Sequence, residues 1–426
     1  MISLIFIIEM TTFVILYSFK CRRTKNYIHI DLIFLLAYIL ITSAYFFQKN
    51  ITNNVSGMFF VRNYVEKTVL ITFGGFISYV IVCIFMEITA SNKNKVFVIG
   101  SNKKYIKRYY KVSLFLCIII TFLNIGMYIV NDTFTKARGE GQFEVGNISM
   151  AIAQLSIFQL LLLLILVQLS YLMYNRISKE VLILLATIFV VAFILGERLI
   201  IVLSILGIVI IRNSCKKIKF KTTFLILVVG AIFNYIVTNI RIMSKAKGIL
   251  SNVCSLEFGI IDIIKGICET LACSDIDTLI TSLYVNSDKL LYGKSYLGSL
   301  VNVLFPKTIF RFYFFEPINV TFRKQFYSKI TTVGYDFTMV SESIMNFGVL
   351  GPAIIMAILS FVVFKLSRNL NINDIFMPLK ILIIMRIMFA LRTDSNGIIK
   401  IIVYSSIFFM ILIFIVGKNK LVKKQV

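Results

Sequence analysis

The stretch MAIAQLSIFQLLLLLILVQLSYLMY, residues 150–174, decides the fold class because its 25 residues include no charged side chain. About 20 apolar residues in a helix suffice to cross the hydrocarbon core of a bilayer. In lipid such a segment has to be helical, since each unpaired backbone amide costs several kcal/mol there. The stretch therefore predicts a transmembrane helix.

Runs of this kind recur along the whole chain of 426 residues, which is 58% hydrophobic with a mean hydropathy of +0.89. Soluble domains are roughly 45–50% apolar, so an ordinary soluble protein is excluded. The sequence predicts an all-α polytopic membrane protein with eleven transmembrane helices. The predicted spans are 2–18, 30–47, 68–86, 112–130, 150–174, 181–195, 199–211, 222–238, 347–366, 378–391 and 398–416.

The basic residues predict the orientation of these spans. A net charge of +25 would suggest nucleic acid as the partner of a soluble chain. Here 25 of the 45 Lys and Arg residues lie in 19–29, 87–111, 175–180, 212–221, 365–380 and 417–426. Only seven lie in the opposite short loops 48–67, 131–149, 196–198 and 392–397. Basic loops favour the cytoplasm, which predicts an outer N-terminus and an inner C-terminus. The bilayer is the expected partner, and nucleic acid is not.

One interruption affects the count of spans. Gly196-Glu197-Arg198 divides the apolar run 181–211. A single tilted helix through this run would place the basic cluster 212–221 outside, against the charge rule. Two short helices joined by a tight hairpin keep that cluster inside. Short paired helices of this type point to a binding site near the hairpin.

The longest connection, 239–346, has about 108 residues and divides the chain into three regions. These are helices 1–8 (1–238), a large outer loop (239–346), and helices 9–11 with the tail (347–426). A loop of that length is usually functional or a subdomain of its own. The residues Leu256–Ala272 have apolar side chains near helical spacing, which predicts a helix on the membrane surface.

Outward loops repeatedly place an arginine beside a carboxylate. Arg138, Arg198 and Arg392 each have an acidic residue within two positions. The guanidinium fork matches phosphate oxygens, so these loops predict a pocket for a lipid-linked phosphate or pyrophosphate. The alternative is that such neighbours are exposed ion pairs of little energetic value.

Arg386 lies inside the predicted span 378–391, and an intramembrane charge is a candidate functional residue. The alternative is a structural ion pair, for which Glu9 in the first span is the available acid. Lys400, near the outer end of the last span, can extend its ammonium group to the interface.

Several short motifs resemble the O-antigen and related oligosaccharide repeat-unit polymerases of the Wzy type. They are Gly196–Arg198, Tyr292–Leu297, Leu304–Lys307, Gly334, Glu342–Ser343, Asn346–Gly351 and Arg392–Ser395. Tryptophan often accompanies these motifs in that family, whereas this chain has none and uses Phe and Tyr.

The resemblance implies glycosyl transfer on the periplasmic side of the bacterial inner membrane. A glycan on undecaprenyl pyrophosphate would be moved onto a newly flipped repeat unit on the same carrier. This chemistry needs a base for the acceptor hydroxyl and positive charge for the departing pyrophosphate. The sequence shows no dedicated metal site, so no cofactor is expected and arginine is the charge source. A chain-length regulator is a candidate partner.

Within this resemblance Glu342 is the favoured base, Asp394 the second candidate and Asp336 the third. Glu342 could instead serve as the N-terminal charge of the ninth helix, which the helix dipole favours. The arginines assigned to pyrophosphate binding are Arg198 and Arg392, then Arg241 and Arg323, with Arg138 also a candidate.

Three other functions compete with a polymerase. A lipid-linked oligosaccharide flippase would not need the large outer loop. An O-antigen ligase commonly carries a histidine in that loop, whereas the only histidine here, His29, lies beside a cytoplasmic loop. A scaffolding membrane protein would leave surface glycan unchanged when its gene is deleted.

The topology predicts the result of reporter fusions. A reporter joined after Lys221 or Lys424 should report the cytoplasm, and one joined near Lys289 should report the periplasm. A cytoplasmic signal at Lys289 would contradict the outer position of the large loop.

Overall fold

A computed structural model describes residues 2–43, 65–89, 95–99, 103–130, 148–194, 198–223, 225, 230, 282–283, 290–306, 310, 312–326, 337–368, 370–416 and 421–425, apart from residue 369 and the other gaps between these ranges. Its helices are α1 (Ile2–Thr24), α2 (Ile30–Thr42), α3 (Val65–Thr89), α4 (Lys103–Val130), α5 (Ile148–Tyr174), α6 (Lys179–Ile194), α7 (Arg198–Cys215), α8 (Lys294–Leu304), α9 (Ile318–Phe326), α10 (Met339–Phe347), α11 (Gly351–Arg368), α12 (Met377–Met388) and α13 (Ser395–Val416). Two 3-10 turns, Gly348–Leu350 and Phe389–Leu391, precede α11 and follow α12.

Membrane-crossing helices are present, as predicted. Among the described residues six segments are long and apolar enough to cross a bilayer: Ile2–Thr24, Val65–Thr89, Lys103–Met127, Leu155–Tyr174, Met339–Arg368 and Ser395–Val416. The chain is therefore a multi-pass membrane protein. The count of eleven spans stays a prediction, since most of 222–238 lies outside the described residues, as does the predicted surface helix 256–272.

The chain forms two compact units, and the first comprises Met1–Ala90, Gly259–Arg368 and Arg386–Ile402. In this unit α3 and α11 pack side by side. Ser360 lies against Cys83, with their side-chain oxygen and sulfur 3.4 Å apart, and eight residues earlier on both helices Pro352 lies against Gly75. The two helices therefore run in the same direction, as the third and ninth predicted spans should.

One end of the first unit is held by ion pairs. Lys20 of α1 binds Asp31 of α2, and its ammonium group lies 2.9 Å from Glu87 of α3. The same ammonium group lies 5.2 Å from the centre of the Phe364 ring of α11. The four helix ends that meet here belong to segments predicted to face the cytoplasm. Their meeting supports the relative directions of these helices, while the side of the membrane stays a prediction.

The second unit comprises Ser91–Phe258, Asn369–Met385 and Val403–Val426. Its core is α5, because every residue from Leu160 to Leu169 is buried. A helix that is apolar all round has to be enclosed by other helices or by lipid. Two glutamines of α5 donate hydrogen bonds to neighbouring segments: Gln159 donates to Thr121 Oγ1 at 2.8 Å, and Gln168 donates to the carbonyls of Ile372 and Asp374 at 2.7 Å.

The fold is all-α as predicted, and the second unit adds one short two-stranded ladder. Strands β1 (Lys95–Ile99) and β2 (Leu421–Gln425) form an antiparallel ladder, with Lys95 opposite Gln425 and Ile99 opposite Leu421. Both strands lie in segments that the charge pattern assigns to the cytoplasm. A hydrogen-bonded ladder requires both segments to be on one side of the membrane, in agreement with that assignment.

Two predicted helix boundaries can be compared with the structure, one in the run 181–211 and one at the start of the ninth span. In the run 181–211 the structure describes α6 and α7 but not residues 195–197 between them, so the choice between a hairpin and a single tilted helix stays a prediction. The ninth span was predicted to begin at residue 347, but helical structure already begins at Met339 and is broken by the 3-10 turn Gly348–Leu350. The break brings Gly351 so close to α10 that a Cβ there would lie 2.2 Å from the Ser343 carbonyl oxygen.

The close packing of α3 predicts a stability difference between two adjacent glycines. A Cβ on Gly75 would lie 2.5 Å from Tyr38 Oη and 3.1 Å from the Pro352 carbonyl oxygen, whereas one on Gly74 would meet nothing within 4 Å. Gly75→Ala should lower the free energy of unfolding by about 1–3 kcal/mol through overpacking. Gly74→Ala should be neutral or stabilise the helix by up to about 1 kcal/mol.

The measurement is loss of helical circular dichroism on heating the purified protein in detergent. Equal unfolding temperatures for the two variants would contradict the packing of α3 against α2 and α11.

Candidate functional site

The candidate site is built from three segments of the first unit that are distant in the sequence. They are the start of α8, the helix α10, and the turn 392–394 that leads into α13. Thr338 caps α10, since its hydroxyl accepts a hydrogen bond of 2.9 Å from the Ser341 amide. Side-chain caps of this kind satisfy N–H groups that a helix start leaves unpaired.

The carboxylate of Glu342 joins these three segments. Its Oε1 accepts hydrogen bonds from the Ser295 hydroxyl at 2.5 Å and the Ser395 hydroxyl at 2.7 Å. Its Oε2 accepts one from the Ser395 amide at 2.8 Å. The side chain is fully buried, with 0% of its surface exposed. Glu342 therefore ties α8 and α13 to α10.

A second layer of hydrogen bonds holds the partners of Glu342. The Asn346 amide donates to the Ser295 hydroxyl at 2.7 Å and to the Glu342 carbonyl at 2.8 Å. Its Oδ1 accepts from the Gly293 amide at 2.9 Å. The hydroxyls of Ser299 and Ser395 lie 2.9 Å apart. Each polar atom is thereby fixed in a buried network, which gains rigidity when its members are satisfied.

Asp394 differs from Glu342 because one of its oxygens is left unbonded. It caps α13 through Oδ1, which accepts from the Gly397 amide at 3.1 Å. Its Oδ2 is buried and has no hydrogen-bond partner among the described residues. Burial raises the pKa of this carboxyl from 3.8 to about 6, although the Gly397 N–H opposes the shift. Burial and the negative charge of Asp394 also raise the pKa of Tyr313.

Of the arginines predicted to bind pyrophosphate, only Arg392 has a described side chain. Arg392 lies half-buried in the turn before Asp394, and its amide donates to the Phe389 carbonyl at 2.9 Å. Arg198 begins α7 and Arg323 lies in α9, but the side chains of both are outside the described part of the chain. Arg138, Arg241 and Asp336 lie outside it altogether. The roles of these residues stay predictions.

The alternative of an ion pair between Arg386 and Glu9 is wrong. Glu9 is buried and accepts a hydrogen bond of 3.3 Å from the Ser43 hydroxyl. The salt bridges within the described ranges do not include Arg386, and its Nε has no hydrogen-bond partner there. The two side chains belong to the same unit but do not neutralise each other.

Charges in the first unit are thus distributed unevenly. The end that contains Lys20 is neutralised by ion pairs, whereas the donors to Glu342 and Asp394 within the described ranges are uncharged groups. From Phe364 near Lys20 to Gly351 next to α10, α11 rises about 20 Å. The carboxylates of the site therefore lie at the end of the unit opposite the ion pairs.

Sequence reasoning missed three participants: Ser295, Ser395 and Asn346. All three lie within motifs quoted for the family resemblance, yet they received no role. The signal that could have found them is their spacing from the carboxylates. Asn346 lies four residues after Glu342, on the same helix face, and Ser395 follows Asp394 directly.

Within the described residues no three His, Cys, Asp or Glu side chains come together as a metal ion would require. A family model described as O-antigen polysaccharide polymerase Wzy matches residues 1–425. Neither a curated protein nor a solved structure matches the chain. The family match extends over all three segments that form the candidate site.

The raised pKa of Asp394 predicts how stability depends on pH. A native pKa of about 6 against 3.8 in the unfolded chain means that the native state binds this proton more tightly. Stability from this group is complete below about pH 4 and is lost as the pH rises through 6, about 3 kcal/mol in all. Asp394→Asn should remove that loss, and unfolding temperatures measured from pH 4 to pH 7 should therefore fall less than in the wild type. Parallel curves for the two proteins would contradict the burial of an unpaired carboxyl.

Proposed function

The chain belongs to the O-antigen polysaccharide polymerase Wzy family, and on that premise we propose that it polymerises undecaprenyl-pyrophosphate-linked repeat units at the periplasmic face of the bacterial inner membrane. The observation that carries the proposal is the pair of buried carboxylates, Glu342 and Asp394, joined through Ser395 at the end of the unit opposite the Lys20 ion pairs. With the predicted orientation that end faces the periplasm.

The proposed reaction is a glycosyl transfer without a sugar nucleotide. The hydroxyl of the acceptor sugar attacks the anomeric carbon of the donor glycan, and its proton passes to a carboxylate. The bond between that carbon and the pyrophosphate oxygen breaks, and the electron pair leaves with the pyrophosphate. Guanidinium groups near the leaving oxygen would stabilise its growing charge. Arg392 and Arg198 are proposed for this role, with Arg138, Arg241 and Arg323 as further candidates.

The hydrogen bonds favour Asp394 over Glu342 as the base. Oε1 of Glu342 already accepts two hydrogen bonds and Oε2 accepts one, and the side chain is fully buried, so Glu342 is engaged in holding the three segments together. Asp394 Oδ2 has no such bond among the described residues, and a pKa of about 6 suits a base that works near neutral pH. Glu342 is then a positioning residue that holds the turn of Asp394 through the Ser395 amide.

The position of His29 argues against the ligase alternative. It precedes α2, and its ring lies 3.0 Å from the Asn26 carbonyl oxygen and 3.3 Å from the Thr24 hydroxyl, near the ion pairs of Lys20. A histidine there is far from the carboxylates of the site, so it supports no ligase-like chemistry with them. The large outer loop, in turn, argues against a flippase.

Deletion of the gene is the test of the function. Gel display of surface glycan should show a single repeat unit on the acceptor and no long chains. Absence of the repeat unit as well would indicate a ligase or a flippase, and unchanged long chains would indicate a scaffold.

Substitutions of the two carboxylates separate the base from the positioning residue. In the deletion strain, Asp394→Asn should lower the polymerisation rate about 10²–10⁴-fold, as loss of a general base does. Glu342→Gln keeps an oxygen for the Ser395 amide and should retain most long-chain glycan, whereas Glu342→Ala should lose it. Immunoblots establish equal membrane levels of each variant.

Glu316→Gln is the matched control, because Glu316 is exposed and pairs with Lys324 on the surface. It should leave chain length unchanged. Loss of long chains in Glu342→Gln, together with their retention in Asp394→Asn, would reverse the two roles.

A further inference from the structure

Arg386 is a buried cation with no ion-pair partner among the described residues. It lies in the last turn of α12 with 9% of its surface exposed, and its Nε has no hydrogen-bond partner among the described residues. The aromatic ring of Phe389 lies 6.0 Å from the centre of the guanidinium group. One ring contact at the limit of cation–π distance does not offset the desolvation of a full charge.

Lys20, a buried cation of the same unit, is paired with acidic side chains. It is equally buried, with 8% of its surface exposed, and it has two acidic partners, Asp31 and Glu87. Buried charges in proteins are generally paired in this way. Lys20 and Arg386 are the buried cations of the described part of the unit, and only Arg386 has no acidic partner there, which leaves it able to bind an anion from outside the chain.

The chemistry of that anion follows from its surroundings. The guanidinium group offers a planar fork of donors that fits phosphate oxygens. It stands in the apolar helix α12, between Met385 and Ile387, which are both buried. A lipid tail anchors its phosphate in the same bilayer as α12, whereas a soluble anion has no such anchor. The 3-10 turn Phe389–Leu391 links Arg386 directly to the segment of Arg392 and Asp394.

We propose that Arg386 binds a phosphate oxygen of a lipid-linked phosphate, specifically the pyrophosphate of the polyprenyl carrier. The proposal rests on the proposed function for the identity of the carrier. The same chemistry is present in phospholipid headgroups, so the experiment has to separate the two sources.

The experiment uses the full chain purified in a maltoside detergent, which contains no phosphate. Farnesyl pyrophosphate, inorganic pyrophosphate and phosphatidylglycerol are titrated separately, and Kd is measured by microscale thermophoresis. Arg386→Met should weaken the binding of farnesyl pyrophosphate about 10–100-fold, the usual value of hydrogen bonds to charged groups. Arg386→Lys should give a smaller loss, since it keeps the charge without the fork. Arg22→Met, at an exposed position of α1, is the control and should bind like the wild type.

A second measurement distinguishes binding from structure. Because an unpaired buried charge is costly, Arg386→Met without ligand should unfold at the same temperature as the wild type or a higher one. A lower unfolding temperature with unchanged affinities would overturn the proposal, as would an equal loss for phosphatidylglycerol and farnesyl pyrophosphate. If gene deletion leaves long glycan chains intact, the proposed function fails, while the affinities still decide whether Arg386 binds a prenyl pyrophosphate.

Discussion

The hydrogen bonds of the Glu342 carboxylate hold the candidate site together, because they connect segments that lie about 50 residues apart on either side in the chain. Ser295 and Ser395 reach the same oxygen, and the Ser395 amide reaches the other. Loss of one such partner would remove a hydrogen bond to a charged group, which is worth about 1.5–3 kcal/mol. Since Asp394 precedes Ser395 directly, its position depends on the same bonds.

The distribution of charge in the first unit connects this network to function. Where Lys20, Asp31 and Glu87 meet, the helices are joined by charges that neutralise one another. At the other end, Asp394 Oδ2 and Arg386 Nε are buried without partners among the described residues. Buried polar groups without hydrogen-bond partners lower the stability of the fold, and proteins commonly retain them at sites that bind ligands or transfer protons. A polymerase of lipid-linked glycans needs both a base and a cation of this kind.

The membrane places its own constraint on how such a site can form. Helices α3 and α11 run in the same direction although more than 250 residues separate them, and the strands of the β1–β2 ladder come from distant parts of the second unit. Parallel helices require an odd number of crossings between them, whereas two paired strands on one side of the bilayer require an even number. The directions of the helices are therefore set by the bilayer, and side-chain contacts such as Cys83 with Ser360 select the neighbours.

The sequence by itself determined the membrane-protein class, the family motifs and the carboxylates worth considering. These features depend on local composition, because an apolar run of about 20 residues is driven into lipid whatever its neighbours are. Only the tertiary structure decided which charges are paired. Lys20 and Arg386 are both basic residues in the last two turns of an apolar helix, and their local sequences do not show which of them has acidic partners. Asp31 and Glu87 lie beside Lys20, whereas no described acid pairs with Arg386. Ion pairs need distances of a few ångströms between segments that are far apart in the sequence, and only folding brings such segments together.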